Sequence, residues 1–486
     1  MVRRFFGCAL GIGLGLFVGR AARADVLSVG PSGKFPAPCA AFAMAKDGDT
    51  VEIDSAGKYV GDVCAVAKSN LTIVGKGGLA KIDAGGMNAQ GKAIWIVQGN
   101  DTLIEAVEFT GAKVPDMNGA GIRQEGKNLT VRGCYFHDNE DGILAGDVAG
   151  SEILIEHSEF DHNGAGDGFS HNLYINHVAK LTFRYNWSHR AVIGHLLKSR
   201  AAENYVLYNR ITGEADGTSS YELDFPNGGK TYVIGNLIEQ GPMTDNPSLL
   251  AYIEEGTNPS NASHQLYVVN NTFVNDKGSG TFLNIAKDAA PAVVANNVFF
   301  GGGTASNQAG ALLSHNYTDT APCLVDPASF DYHLTAGTPC VDGGADPGDG
   351  DGFSLLPAKS YVHPTGSAPR SSVGSIDIGA YELGGEGAPE GGTASEPTPG
   401  GGASSSGAAA TTGGSSSSTA GTAPSAGTGG GAGAASAAND APKTDSGCGC
   451  RLALSTSTPS GPLGLTLALA LALARRRRHG WRVELF

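Results

Sequence analysis

The chain has 486 residues, with 33 Lys and Arg against 47 Asp and Glu, for a formal net charge of −14. That acidic balance argues against a nucleic-acid partner and makes any basic site local. A large share of the 73 glycines falls in the last quarter of the chain, so the remainder is less glycine-rich than the total implies and has ample length for a large core.

Residues 1–24 read as a secretory signal: a basic Met1-Val2-Arg3-Arg4 start, an apolar run from Phe5 to Val18, and an Ala22-Arg23-Ala24 cleavage site, with Asp25 opening the mature chain. The apolar run is short for a bilayer span. Cysteine usage agrees with export to an oxidising compartment. Sequence proximity pairs Cys39 with Cys64 and Cys323 with Cys340, leaving Cys134 over, and no C-x-x-C pair points to zinc or redox chemistry.

From residue 25 to 383 the chain repeats itself. Aligning LTVRGCYF, ILIEHSEF, LTFRYNW, NYVLYNRI, TYVIGNLI, LYVVNNTF and AVVANNVF puts Cys134, Ser158, Asn186, Asn209, Asn236, Asn271 and Asn297 in one column, at separations of 24, 28, 23, 27, 35 and 26. Alternating β-branched and aromatic residues before the column predict short strands, and the column itself predicts the turn after each. LTIVGK (71–76) and TLIEAVEF (102–109) carry the pattern backwards. One strand-turn unit per period in the twenties predicts an all-β solenoid, a single-stranded right-handed parallel β-helix whose stacked asparagines satisfy turn backbone groups that water cannot reach. The repeats resemble pectin-lyase-like β-helix proteins, with KDGDTVEIDSAGKYVGD (46–62) similar to their opening rung, and DYHLTAGTPCVDGG (331–344) and SIDIGAYE (375–382) similar to closing segments of exported bacterial members.

The middle rungs hold most of the chemistry. Strands one rung apart stack about 4.8 Å from each other, so residues near 24 apart share a column. That spacing aligns Tyr174, Lys198, Glu222 and Asn246, sets His171 beside His195, and places His137, Asp161 and His189 three residues after the turn position. Between residues 184 and 211, Arg184, Arg190, Lys198, Arg200 and Arg210 share a segment with one carboxylate, Glu203. Cations that hold carboxylates, with Tyr174, Trp187, Tyr205 and Tyr221 offering ring faces, predict a platform for an acidic polysaccharide bound by a monomer.

LLKSRAAENYVLYNRI (196–211) resembles the segment of chondroitinase B and related alginate lyases in which a Lys-Ser pair precedes an Asn-containing rung. The resemblance puts Lys198 in the place of the base. Those enzymes also carry an Arg on the next rung, whereas residues 211–229 hold no basic residue and present Tyr221, Glu222, Asp224 and Asn227 instead. Three functions follow. In a lyase, Lys198 or His195 is the base, Tyr221 the acid, Arg200 with His171 the carboxylate clamp, and Tyr174, Trp187, His189 and Asn227 line the substrate. In a glycoside hydrolase, Glu222 and Asp224 are the carboxylate pair. In an adhesin or matrix protein the same wall binds glycan without chemistry.

Past the repeats, ADPGDGDGF spaces Asp346, Asp349 and Asp351 around glycines, resembling a calcium loop without the distal Glu of an EF-hand; a structural calcium ion is expected there. Residues 384–447, mostly Gly, Ser, Ala, Thr and Pro, read as a disordered linker. In 448–486 a Cys448/Cys450 pair, an apolar stretch ending at Ala474 and four arginines (475–478) resemble a Myxo-type C-terminal sorting tag, although WRVELF follows the arginines. The resemblance implies processing at Cys448 or Cys450 and tethering to the cell envelope. The segment 461–474 is short for a membrane crossing.

Overall fold

The computed structural model describes residues 24–390 except 288, 319, 320 and 322. The expected leader, almost all of the linker, and the tail with Cys448 and Cys450 lie outside the described residues. Within them the chain winds as a right-handed parallel β-helix, each coil giving one short strand to each of three parallel sheets of 12, 10 and 10 strands. We call these A, B and C, in the order in which a rung visits them. A typical rung runs from Leu129–Arg132 in sheet A through Tyr135–His137 in sheet B to Asp141–Ala145 in sheet C.

Side-chain alternation explains the coil. Leu129 and Val131 point into the core while Thr130 and Arg132 face outward, and the same period of two recurs on Glu152–Glu156 and Lys180–Arg184 of sheet A. Inside, like residues stack on like: Phe109 on Phe136 at 5.0 Å between ring centres, and Phe136 on Phe160 at 4.9 Å.

The A-to-B turn carries the aligned column. Asn209 Oδ1 accepts from Asn186 N at 2.9 Å, and Asn209 Nδ2 donates to Phe183 O at 2.9 Å and to Asn236 Oδ1 at 2.9 Å. The pattern repeats through Asn236, Asn271 and Asn297 to Asn316, one rung beyond the alignment. Each ladder residue follows one in the left-handed region, such as Tyr208 at φ 57° and Asn270 at φ 52°, which bends the chain between sheets. Two non-asparagines open the column: Ser158 Oγ accepts from Cys134 N at 3.1 Å. Burial pushes the Cys134 thiol up to about 12, so it acts as an inert core residue. A second ladder not visible in the spacing, Asn139–Asn163–Asn172, lines the B-to-C turn at 3.0 Å per step.

Both ends are closed. Helix α1 (Pro38–Met44) sets Phe42 edge-on to Trp95 at 5.0 Å, and a disulfide joins its Cys39 to Cys64 on the first strand of sheet C. After the last rung, a Cys323–Cys340 disulfide begins a segment that runs back outside sheets A and B. It is tied to three rungs by Asn270 Nδ2 to Asp377 O at 2.8 Å, Ala358 N to Tyr208 Oη at 3.1 Å and His157 Nδ1 to Thr365 O at 2.6 Å. Its anchor is Arg370, paired with Glu382 at 3.1 Å with side chains 1% and 0% exposed.

Asp346, Asp349 and Asp351 belong to this returning segment. Asp346 Oδ1 caps its own turn through Gly348 N at 2.9 Å, while Gly350 O receives the Tyr232 hydroxyl and Phe353 packs on Tyr205 and Tyr232. Among the described residues no three His, Cys, Asp or Glu side chains gather as a metal centre. In this segment the turn is built for packing on the Tyr205–Tyr232–Tyr267 stack, where a Cβ at Gly350 would lie 2.5 Å from the Tyr267 ring.

Candidate functional site

The outer face of sheet C gathers the titratable residues of the middle rungs. Its register runs Arg123, Leu144, Tyr174, Lys198, Asp224, Ala251 and Asn284. Tyr174 and Lys198 therefore share a column, as their spacing of 24 predicts. Glu222 and Asn246 leave it. The rung after Lys198 is longer, since residue 224 lies 224 − 198 = 26 positions on, and the extra length sits in the turn around 213–220.

Three side chains converge on Asp224 and Glu255. Lys198 Nζ lies 3.4 Å from Asp224 Oδ2 and 3.4 Å from Glu255 Oε1, and His195 Nε2 lies 3.4 Å from Asp224 Oδ2. Arg200, two residues along from Lys198, donates from Nε to the Tyr174 hydroxyl at 2.8 Å, from Nη2 to Glu255 Oε2 at 2.7 Å, and from Nη1 to Asn227 Oδ1. Both cations also stand over the Tyr174 ring, each 5.7 Å from its centre.

A stack of rings runs alongside. His171 lies on His195 at 4.4 Å, and His195 beside Tyr221 at 5.2 Å. His171 Nδ1 accepts from His195 N at 3.0 Å, and His195 Nδ1 accepts from Tyr221 N at 3.3 Å. These bonds put the proton of each neutral ring on Nε2. Burial, with Lys198 nearby, pulls His195 down to about 3, and burial also holds His171 well below its usual value. His171 is thus a neutral ring and not half of a cationic clamp. His195 offers no free lone pair for a proton, because its Nε2–H faces Asp224; it positions that carboxylate and is not a base.

Burial raises Asp224 to about 6 against the pull of Lys198. Half burial works against the ionisation of Glu255 too, but the Arg200 hydrogen bond and the Lys198 charge outweigh it and hold this carboxyl below its usual range.

The carboxylate pair expected of a hydrolase does not form. Asp224 has Lys198, Glu255 and Arg200 as charged neighbours, whereas Glu222 is fully buried, takes Ser219 Oγ at 3.3 Å, and has Glu239 and Lys277 as its charged neighbours. Glu222 precedes the strand Leu223–Phe225, so strand alternation does not carry it to the outer face. Trp187 and His189 are also elsewhere: they lie on sheet B, stacked on each other at 3.6 Å, with His189 between Glu159 and Asp161. The column His137–Asp161–His189 is real but belongs to that sheet. Tyr205 lies on sheet A under Phe353. The basic segment is dealt around the coil: Arg184 pairs with Glu156 on sheet A, Arg190 with Asp161 and Arg210 with Glu214 on the sheet B side, and only Lys198 and Arg200 reach sheet C. A cleft of about 600 Å³ between sheet B and the returning segment, lined by Arg210, Tyr332, His333 and Tyr361, lies apart from this cluster.

Sequence reasoning missed Glu255. It reaches the site from the loop after Ser248–Tyr252, and no periodic signal marks it. Asn246, placed wrongly in the column, instead accepts from Ser248 N at 3.0 Å.

With this geometry in view, the class of protein is a right-handed β-helix bearing a mixed cation and carboxylate cluster on one sheet. The sequence family described as "Right handed beta helix region" matches residues 82–238. The crystal structure of pectate lyase Pel9A superposes with a TM-score of 0.51 at 13% identity, covering 75% of this chain and 97% of that one. An alginate lyase from Paenibacillus sp. str. FPU-7 aligns with a TM-score of 0.36 at 16% identity, over 60% of this chain and 99% of that one. No curated protein sequence matches the chain.

Proposed function

We propose that the protein binds an acidic, uronate-containing polysaccharide along the outer face of sheet C and cleaves it by β-elimination. The observation that carries this reading is the meeting of Lys198 and Arg200 on one carboxylate position, that of Glu255, with Tyr174 and Asn227 holding the Arg200 guanidinium. The cation that the lyase resemblance puts on the next rung is supplied from the same rung by Arg200. The shared fold with a pectate lyase supports a polysaccharide ligand, and two disulfides suit an exported protein working in an oxidising compartment.

In this mechanism Arg200, held in place by Asn227, binds the uronate carboxylate, and its charge and hydrogen bonds stabilise the carbanion that develops beside it. Lys198 takes the proton α to that carboxylate. The C–O bond to the leaving sugar breaks as the C=C bond forms, and a phenol returns a proton to the departing oxygen. Tyr174 suits that last step better than Tyr221, because its oxygen already accepts from Arg200 and a developing phenolate would lie against the guanidinium.

Incubating the protein with polygalacturonate, alginate and chondroitin while following ultraviolet absorbance tests the reaction: an unsaturated product is expected from one of them. New reducing ends without absorbance, or binding with neither, would replace elimination with hydrolysis or with simple adhesion. Tyr174→Phe is expected to slow turnover more than Tyr221→Phe, and the reverse order would move the acid to Tyr221.

The site also predicts a pH dependence of binding. Above about pH 6 Lys198 and Arg200 face two ionised carboxylates, and below it Asp224 is neutral while Glu255 stays charged, so the cluster gains one net positive charge. Affinity for a polyanion should therefore rise as pH falls through about 6, before the polymer's own carboxylates titrate. Asp224→Asn should remove this step, binding near neutrality as tightly as the native chain does in acid. Calorimetric titration across that range checks it.

A further inference from the structure

The carboxylate of Glu255 stands in an unusual relation to its partners. Lys198 and Arg200 have side chains only 12% and 14% exposed and are fixed by the rung: Arg200 is held by Tyr174 and Asn227, and Lys198 by Asp224. Glu255 is 49% exposed and comes from outside the coil, on the segment between Ser248–Tyr252 and Leu266–Val269. Few other bonds hold the start of that segment over the rung below: Glu255 N to Pro226 O at 3.0 Å, Asn227 Nδ2 to Gly256 O at 3.0 Å, and Asn258 N to Asn227 O at 3.2 Å. A carboxylate that meets two buried cations from the solvent side, one oxygen on each, has the approach and charge of a ligand rather than of a rung residue.

We propose that Glu255 is a built-in stand-in for the ligand: its carboxylate fills the subsite made by Lys198 and Arg200, and a uronate carboxylate must displace it for the polymer to dock. This rests on the acidic-polysaccharide reading for the identity of the competitor, but not for the existence of the latch. Glu255 then sets specificity. A neutral or esterified glycan has no group to compete for the two cations and leaves the subsite shut, whereas a polyuronate trades one carboxylate for another. Because the free protein is mostly closed, its apparent affinity is lower than that of the open subsite by the fraction open.

The test compares the native chain with Glu255→Gln, which keeps the shape and removes the charge. Binding to polygalacturonate and to its methyl ester is measured by titration, and amide hydrogen exchange is followed at Glu255 and Asn258. The variant is expected to bind polygalacturonate about tenfold more tightly, to bind the methyl ester no better than before, and to exchange faster at both amides. Equal or weaker binding of polygalacturonate by the variant would overturn the latch, since a salt bridge that merely supports the site would weaken binding when cut. Binding of polygalacturonate, alginate and chondroitin by neither protein would overturn the acidic-polysaccharide reading. The latch would then be judged by exchange alone, sustained by faster exchange in the variant and overturned by no change.

Discussion

Lys198→Ala is expected to lower β-elimination by about 10²–10⁴-fold while the far-ultraviolet circular dichroism of the coil stays that of the native chain. The side chain lies on the outer face of sheet C, and its removal opens no cavity among the inward-facing residues Leu173, Ile175 and Leu223, all fully buried. What it removes is the group set 3.4 Å from each of two carboxylates. Arg200→Ala should act differently. Losing the guanidinium that reaches Tyr174, Asn227 and Glu255 takes away the carboxylate partner, so both KM and turnover suffer, whereas Lys198→Ala should fall mainly on turnover. Full activity in Lys198→Ala would remove it as the base and leave the cluster as a binding surface.

Arg370→Met is the second large effect, and it falls on stability. Arg370 donates to Gly379 O at 2.9 Å, to Asp377 O at 3.2 Å and to Glu382 Oε2 at 3.1 Å, and Glu382 in turn accepts from Val373 N and Asp377 N. Removing only the cation strands a buried carboxylate among donors arranged for its charge, at a cost of about 3–5 kcal/mol. The consequence should be local first, because a solenoid responds through its nearest neighbours. Amides of 359–383 should lose protection before those of sheet C, as measured by hydrogen exchange along a denaturant series. Arg370→Met combined with Glu382→Leu should recover much of the loss, since no unpaired charge remains. If the single variant melts like the native chain, the ion pair is not what holds the returning segment.

These two expectations separate the molecule's two requirements. The site residues stand on the outside of the coil and can be changed with little damage to the core. The asparagine ladders and the ring stacks tie each rung to the next, the Arg370 anchor holds the returning segment together, and the site depends on the register of the rungs.

Much of the fold was legible because its causes are local and repeated. Inward Leu, Ile, Val and Phe alternate with outward polar residues on strands such as Leu129–Arg132 and Lys180–Arg184, and Asn186 to Asn297 recur at successive A-to-B turns because those turns cannot reach water. The positions of Tyr174, Lys198, His171 and His195 followed from the same period. Asp224 and Glu222 exchanged places because column counting assumes equal rungs, and a rung of 26 shifts every later residue by two. Arg184, Arg190 and Arg210 looked like part of one basic patch because they are close along the chain, but a coil distributes neighbours in sequence over three faces.

From the sequence alone came the coil itself, its Asn column, its sheet-forming segments and the presence of Lys198 in a charged rung, since each depends on residue types at short range. Only the tertiary structure decided which carboxylates face Lys198, that Trp187 and His189 belong to another sheet, that each stacked histidine accepts a backbone N–H at Nδ1, and that Glu255 reaches Lys198 and Arg200. Those outcomes depend on turn lengths, on burial and on a loop that returns across 255 − 198 = 57 residues, quantities summed over the whole coil that no local pattern records.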